Sequence, residues 1–480
     1  MSTVVQQVGR LAFTLVLARI VGPADFGVVA QATIYVGFVQ LFLDQGFGAA
    51  LIQKKNLEKE DVASVFWLNV ASAGVLVVVT LLLAPAIGDF FDTPETTSVL
   101  RVTSLVIILY ALSVVPLSLM NRNLQFRKMA VIDIWSVAVG GVAGVVAALL
   151  GAGYWALVVQ TITSALISLV GLLRMTGRPP LHGSLARLRS MASFGWGLVG
   201  ARIVQYGGKN ADNILVGRYL AATDLALYAL SYRMLTLPLQ TFGRVVNKVA
   251  FPLFSQMQGH PDRIRAWFLA GTTTTAVCTY PVLTLAILTE PVLIPTALGA
   301  AWVGAVVPMQ VLTAVAYRSI VLKLIGPVFM SAGRTGLLLR FAMIEVSLAV
   351  VGFVIGLRWG ITGVAVGYLV ATYAVGPITV TSAGRMIGLR RGQYLGALFP
   401  TAMACVAMVV SWLAVTELAD WQGAPVWGKT ATGVIVAVAT YLAWLRFLAP
   451  KSWAVARKLG IRVLRHRGNE KNRTSAEKVC

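Results

Sequence analysis

Apolar runs of about twenty residues recur along the whole chain, each long enough to cross the hydrocarbon core of a bilayer. They fall near 1–21, 27–52, 62–88, 99–120, 131–150, 153–174, 193–216, 223–250, 265–289, 303–329, 337–357, 360–384, 394–415 and 427–448. In lipid a segment must satisfy its own backbone N–H and C=O groups, and runs of this length do so as helices. The fold class that follows is an all-α integral membrane protein with about 14 transmembrane helices. Composition agrees: 58% of the 480 residues are hydrophobic and only 12% are charged. The mean hydropathy of +0.79 excludes an ordinary soluble domain. Connections are short, so no sizeable soluble domain is expected among the spans.

The net charge of +22 would fit nucleic acid, but its distribution argues otherwise. Alternate loops carry Lys54, Lys55 and Lys59; Arg122, Arg127 and Lys128; Arg174, Arg178, Arg187 and Arg189; Arg263 and Arg265; Arg334; and Arg385, Arg390 and Arg391. The intervening loops are nearly free of basic residues, and one is acidic at Asp89, Asp92 and Glu95. That alternation is the positive-inside pattern and predicts both termini in the cytoplasm. No compact basic domain is left to hold nucleic acid. Cys278, Cys405 and Cys480 are scattered, and His182, His260 and His466 fall in loops or the tail, so no metal site, disulfide framework or cofactor is expected. Met1 opens directly into an apolar run without the basic start or cleavage site of a signal peptide.

One span breaks the apolar rule. The stretch Phe194 to Gly217 carries Arg202, Lys209 and Asp212. At helical spacing Arg202, Gln205, Tyr206, Lys209, Asp212 and Asn213 fall on one side, with Val204, Gly207, Gly208, Ala211 and Leu215 opposite. A charge at mid-bilayer costs roughly 2.5–3.5 kcal/mol on insertion scales, so the stripe is expected to face protein or water.

The first span ends in LARIVGPADFG (17–27), and VGRYLAATDLA (216–226) repeats its pattern at an offset of 199. The offset pairs Gln6 with Gln205, Arg10 with Lys209, Arg19 with Arg218, Asp25 with Asp224 and Ala30 with Ala229. Polar matches of this kind predict a six-helix repeat, and an even number of spans gives both halves the same orientation. Arg10 and Lys209 would then line a central space from opposite sides. The predicted organisation is a bundle at 1–174, a basic linker at 175–192, a second bundle at 193–385, two additional helices at 386–450 and a basic tail at 451–480.

Other spans contribute Asp44, Arg233, Arg244, Asn247, Arg318, Lys323 and Glu345. Arg19, Arg218, Lys248, Arg340 and Arg385 are near enough to helix ends to snorkel to the headgroups. Arg19 with Asp25, and Arg218 with Asp224, are also placed to form local ion pairs. For Arg10, Arg202, Lys209, Arg233 and Arg318 a cavity role is expected. Asp44, Asp212 and Glu345 are left with three roles: salt-bridge partners, proton carriers or sodium ligands. Lys209 as the neutraliser of Asp212 is the structural alternative. Excess cation in a membrane cavity fits an anionic headgroup, with phosphate as the natural charge for Arg forks and Lys.

Six segments together carry a resemblance: LARIVGPADFG (17–27), FLDQGFGAALIQKK (42–55), VFWLN (65–69), NRNLQFRK (121–128), GAGYWALV (151–158) and FPLFSQMQ (251–258). The chain resembles the polysaccharide-transporter flippases of the multidrug/oligosaccharidyl-lipid/polysaccharide exporter superfamily, the family of the O-antigen and colanic-acid flippases. That resemblance implies a non-enzymatic, multi-pass protein of the bacterial plasma membrane that moves undecaprenyl-diphosphate-linked oligosaccharide to the outer leaflet. It implies two six-helix bundles around a cationic cavity, working by alternating access, with lipids and possible polymerase or glycosyltransferase partners. Members usually begin with more helix before the position of Gln6, so the expectation is either that the first helix here is clipped relative to theirs or that the true start lies upstream. Three alternatives stand beside it. An ion-coupled exporter of cationic drugs would favour an acidic cavity. A membrane glycosyltransferase or polymerase would need carboxylates in a large outer loop. A non-transporting component of an assembly complex is the third. The tail from Lys451 combines Trp453, Leu459 and Ile461 with Arg457, Lys458 and Arg462, the pattern of a basic interfacial helix.

Overall fold

The computed structural model describes residues 2–43, 47–177, 202–203, 205–421, 425–450 and 452–454. Asp44, the linker from 178 to 192, the start of the polar stretch at 194–201 and the tail from 455 lie outside the described residues. The apolar runs read from the sequence are mainly helical where they are described, and the run at 303–329 is broken between Leu322 and Ile325.

The helices are α1 (Ser2–Val21), α2 (Pro23–Leu43), α3 (Phe47–Gln53), α4 (Lys59–Phe90), α5 (Pro94–Arg122), α6 (Phe126–Leu149), α7 (Trp155–Thr176), α8 (205–219), α9 (Ala222–Gln256) and α10 (Pro261–Leu298). There follow a 3-10 turn (Ala300–Ala305), α11 (Val306–Leu322), α12 (Ile325–Ser331), α13 (Thr335–Gly356), α14 (Gly360–Ile387), α15 (Arg391–Trp421) and α16 (Val426–Leu448). Ten stretches among the described residues are long and apolar enough to cross a membrane. α9 is not among them, which follows from the polar side chains it carries. The span expected at 27–52 is divided, because α2 ends at Leu43 and α3 begins at Phe47.

Contacts group the chain into two compact units. Unit 1 holds Met1–Ala229, Pro295–Gly304 and Leu357–Ile361; unit 2 holds Leu230–Ile294, Ala305–Gly356 and Thr362–Cys480.

In unit 1, α4 packs along α5 and α6 along α7. Several segments quoted above meet here. Arg122, in NRNLQFRK, caps the C-terminal end of α3: its Nη1 donates to the carbonyls of Leu51 at 2.7 Å and Lys54 at 2.6 Å, and its Nη2 to that of Lys55 at 3.0 Å. A helix C-terminus leaves carbonyls without intrahelical partners and carries partial negative charge, so a guanidinium belongs there. Asp61 closes a capping box with Glu58 at the start of α4, and its Oδ1 pairs with Lys54 at 2.6 Å. Gln31 ties α2 to the start of α5, donating to Thr93 at 3.2 Å and accepting from Thr96 at 2.6 Å.

A buried cluster of unit 2 runs from Phe254 and Phe268 through Phe329 to Met408, Trp412 and Tyr441. The two C-terminal helices form a packed pair, and the Tyr441 hydroxyl donates to the Val277 carbonyl at 2.8 Å, fastening α16 to α10.

Candidate functional site

Charged side chains on membrane-length helices must meet protein or water, so each can be followed to what it touches. On α1 of unit 1, Gln6 and Arg10 lie one turn apart. The Gln6 side chain hydrogen-bonds the carboxyl group of Asp133 on α6, and the charge of Arg10 acts on the same group. Arg10 itself is exposed.

The polar stripe of α8 divides. Gln205 and Lys209 are exposed, Arg202 and Asn213 are half-buried, and Asp212 is buried. The Tyr228 hydroxyl donates to Asp212 Oδ2 at 3.0 Å. Asn213 donates to Oδ1 twice, from its backbone N–H at 2.8 Å and from its side-chain amide at 3.2 Å. Neutral donors therefore satisfy this carboxyl group, and Lys209 is not among its partners. Tyr206 turns toward α2 and donates to the Ile34 carbonyl at 2.6 Å. Beside it lies an apolar cavity of about 300 Å³, lined by residues such as Phe38, Ile87, Phe91 and Ile214.

The local pairs expected at 19/25 and 218/224 are replaced by distant ones. Asp25 and Asp224 each sit in the first turn of a helix, where the dipole favours a carboxylate. Arg19 Nη1 instead donates to the carbonyls of Thr296 at 2.8 Å and Ala297 at 2.9 Å, capping the last turn of α10. Arg218 pairs with Asp92 and lies over the Phe90 ring, 5.5 Å from its centroid. The two arginines matched by the offset thus reach different acceptors, each far away in sequence.

In unit 2, Arg233 on α9 is half-buried. The side chains of Arg244, Asn247 and Lys248 lie outside the described residues. Arg318 on α11 pairs with Glu345 on α13, Nη1 to Oε1 at 3.2 Å, so these two candidates are brought together. Arg318 also lines a cavity of about 420 Å³ with Tyr280, Tyr317, Tyr373, Tyr394 and Arg391.

Sequence reasoning misses those four tyrosines, which come from four different helices and share no local spacing. It also passes over Glu290, buried on α10, whose Oε1 accepts from Thr313 at 3.2 Å and whose Oε2 has no hydrogen-bond partner among the described residues. For Glu290 a signal was present, since a carboxylate inside an apolar helix is costly wherever it falls.

Similarity to known proteins follows the same geometry. The sequence pattern of a family described as polysaccharide biosynthesis protein matches residues 16–307. The succinoglycan biosynthesis transport protein ExoT of Rhizobium meliloti is 33% identical over 56% of this chain, a match that spans 54% of ExoT. The lipopolysaccharide biosynthesis protein WzxC of Escherichia coli is 26% identical over 74% of this chain and 73% of its own. The teichuronic acid biosynthesis protein TuaB of Bacillus subtilis is 27% identical over 67% of this chain and 72% of its own. Among solved structures, the lipid II flippase MurJ in an inward closed conformation superposes with a TM-score of 0.72, covering 92% of this chain and 97% of that one at 15% identity. An inward-facing multidrug resistance transporter of the MATE family and MOP superfamily gives 0.62, covering 79% and 94% at 13% identity. At such identities the likeness speaks for the fold.

Proposed function

Because the chain belongs to the polysaccharide biosynthesis protein family, we propose that it is a flippase for lipid-linked oligosaccharide. In this reading it carries an undecaprenyl-diphosphate-linked oligosaccharide across the bacterial plasma membrane by alternating access, with both termini in the cytoplasm. The halves 1–174 and 193–385 are the two bundles. Arg10, Arg202, Lys209, Arg233 and Arg318 are the cations that meet the diphosphate and neighbouring acidic groups of the cargo.

The observation that carries the reading is the state of Arg10 and Lys209. They are matched by the offset of 199, both are exposed, and Lys209 pairs with no carboxylate among the described residues. A cation held so is available to an anion. Among the acidic candidates for ion coupling, Asp212 supports the role best, because it is buried against neutral donors. Glu345 is engaged with Arg318.

The test is complementation of a flippase-deficient strain that carries the matching sugar pathway. Arg10→Ala and Lys209→Ala should insert at normal abundance and fail to export. Fully active variants at normal abundance would reject the cationic mechanism.

A further inference from the structure

The 420 Å³ cavity of unit 2 is walled mainly by hydrocarbon and aromatic rings, with Leu322, Pro377 and Leu398 among them. Two guanidinium groups interrupt that wall, and no carboxylate among the described residues lines it. The Arg318 side chain is only 10% exposed. Its contact with Glu345, at 3.2 Å, is longer than the roughly 2.7–2.9 Å of a strong charge-assisted bond. Its Nε has no hydrogen-bond partner among the described residues. A buried N–H of a charged group left without an acceptor is costly, so the Nε retained in this state calls for an explanation. The charge of Arg318 acts on the hydroxyls of both Tyr373 and Tyr394. On α14, Gly376 leaves the space the guanidinium needs, since a Cβ there would stand 2.5 Å from Nε. Arg391 is exposed, and its Nε donates to Thr381 at 3.0 Å.

We propose that this cavity binds the phosphate head and first hydrocarbon segment of an anionic lipid, with Arg318 as the buried cation and Arg391 as the exposed one. Two guanidinium groups against the one carboxylate of Glu345 leave a net positive charge in an oily enclosure, which suits an amphiphile with one anionic head. Free inorganic phosphate would leave the apolar wall unused. The volume falls within the range of ordinary ligand sites, about 300–1,000 Å³. The orphaned Nε and the Tyr394 hydroxyl supply donors to phosphate oxygens, whereas the Tyr373 hydroxyl already donates to the Ala314 carbonyl and that of Tyr317 is paired with Thr284. The site deepens the flippase reading by giving one of its five cations a bounded pocket. It rests on that reading only for the identity of the natural lipid.

The experiment uses the full chain in phosphatidylcholine nanodiscs, titrated with undecaprenyl phosphate or with phosphatidylglycerol, and reads bound lipid by native mass spectrometry. Arg318→Gln alone would strand Glu345, so the test variants are Arg318→Gln/Glu345→Gln, Arg391→Gln and Gly376→Ala. The last keeps every charge and puts a methyl group against Nε. Each should weaken retention of the anionic lipid by roughly tenfold or more, the loss expected for charged hydrogen bonds. Preference for undecaprenyl phosphate would assign the site to the cargo lipid; equal or stronger retention of phosphatidylglycerol would assign it to a bilayer lipid. Either supports the site. Retention no greater than that of phosphatidylcholine, or unchanged in all three variants, overturns it. Lys209→Ala in the same assay separates the two proposals: export lost with lipid retention intact upholds both, and export kept with retention intact rejects only the cationic flippase mechanism.

Discussion

The corner at 17–27 and the corner at 216–226 share the same order of arginine and aspartate, yet different chemistry holds them. The first ends α1 with Gly22 at φ +82°, a left-handed conformation that glycine adopts at little cost, and Pro23 then opens α2. The second turns through Leu220 and Ala221 without a left-handed residue. The first is seated by Trp302, fully buried, whose Nε1 donates to the Ala18 carbonyl at 3.0 Å and whose ring meets Phe26 edge-to-face at 5.6 Å. The second is seated by Phe91 beside Gly217, with the Arg218–Asp92 pair at its rim. The corners also touch each other, because the Ala222 carbonyl oxygen lies 1.9 Å from where a Cβ on Gly27 would stand. A shared sequence pattern therefore sets the path of the chain, while the partners that hold it are chosen separately.

The largest test of this difference is Trp302→Ala, which removes both the ring and the indole donor. It should cost roughly 3–5 kcal/mol in unfolding measured on detergent-solubilised protein. Phe91→Ala should cost less, since no hydrogen bond goes with that ring. Next comes Gly27→Ala, where the methyl group would overlap a backbone atom; overpacking of this kind costs about 1–3 kcal/mol. Its matched reverse, Ala226→Gly, should cost about 0.5–1 kcal/mol through helix propensity, with a further contribution from the buried methyl group it removes. A larger loss from Ala226→Gly than from Gly27→Ala would remove the asymmetry.

The smallest effects belong to the arginines. Arg218→Ala breaks an exposed ion pair worth about 0–1 kcal/mol, and its effect should fade as salt is raised. Arg19→Ala removes the donor to two carbonyls at a helix end, about 0.3–1 kcal/mol, and its effect should persist better because direct hydrogen bonds to neutral carbonyls remain when charges are screened. Comparing the two variants over a salt series reads the difference directly.

The spans were legible because lipid demands long apolar helices, and composition alone reveals those. The repeated corners were legible because polar matches at one offset stand out against an apolar background. Their partners were not. Arg19 and Asp25 are neighbours in sequence, yet the dipole of α2 holds the aspartate while the open carbonyls of α10 take the arginine. The same limit applied to Arg318 and Glu345. Each was visible as a charge out of place, but 27 residues separate them, and nothing local couples one to the other. For Asp212 the sequence offered Lys209, one turn away, where the fold supplies Tyr228, 16 residues on.

The seat of the first corner has a further consequence, in the order of synthesis. Arg218 finds Asp92 already made, 126 residues earlier in the chain. Arg19 must wait for Thr296, 277 residues later. At about 5–20 residues per second, that is a delay of roughly 15–55 seconds between the emergence of the arginine and that of its acceptor. For that interval the end of α1 has neither Trp302 nor the α10 carbonyls. The first corner is thus the first of the pair to be made and the last to be seated. A nascent chain stalled before residue 296 would carry a completed second corner beside an open first one.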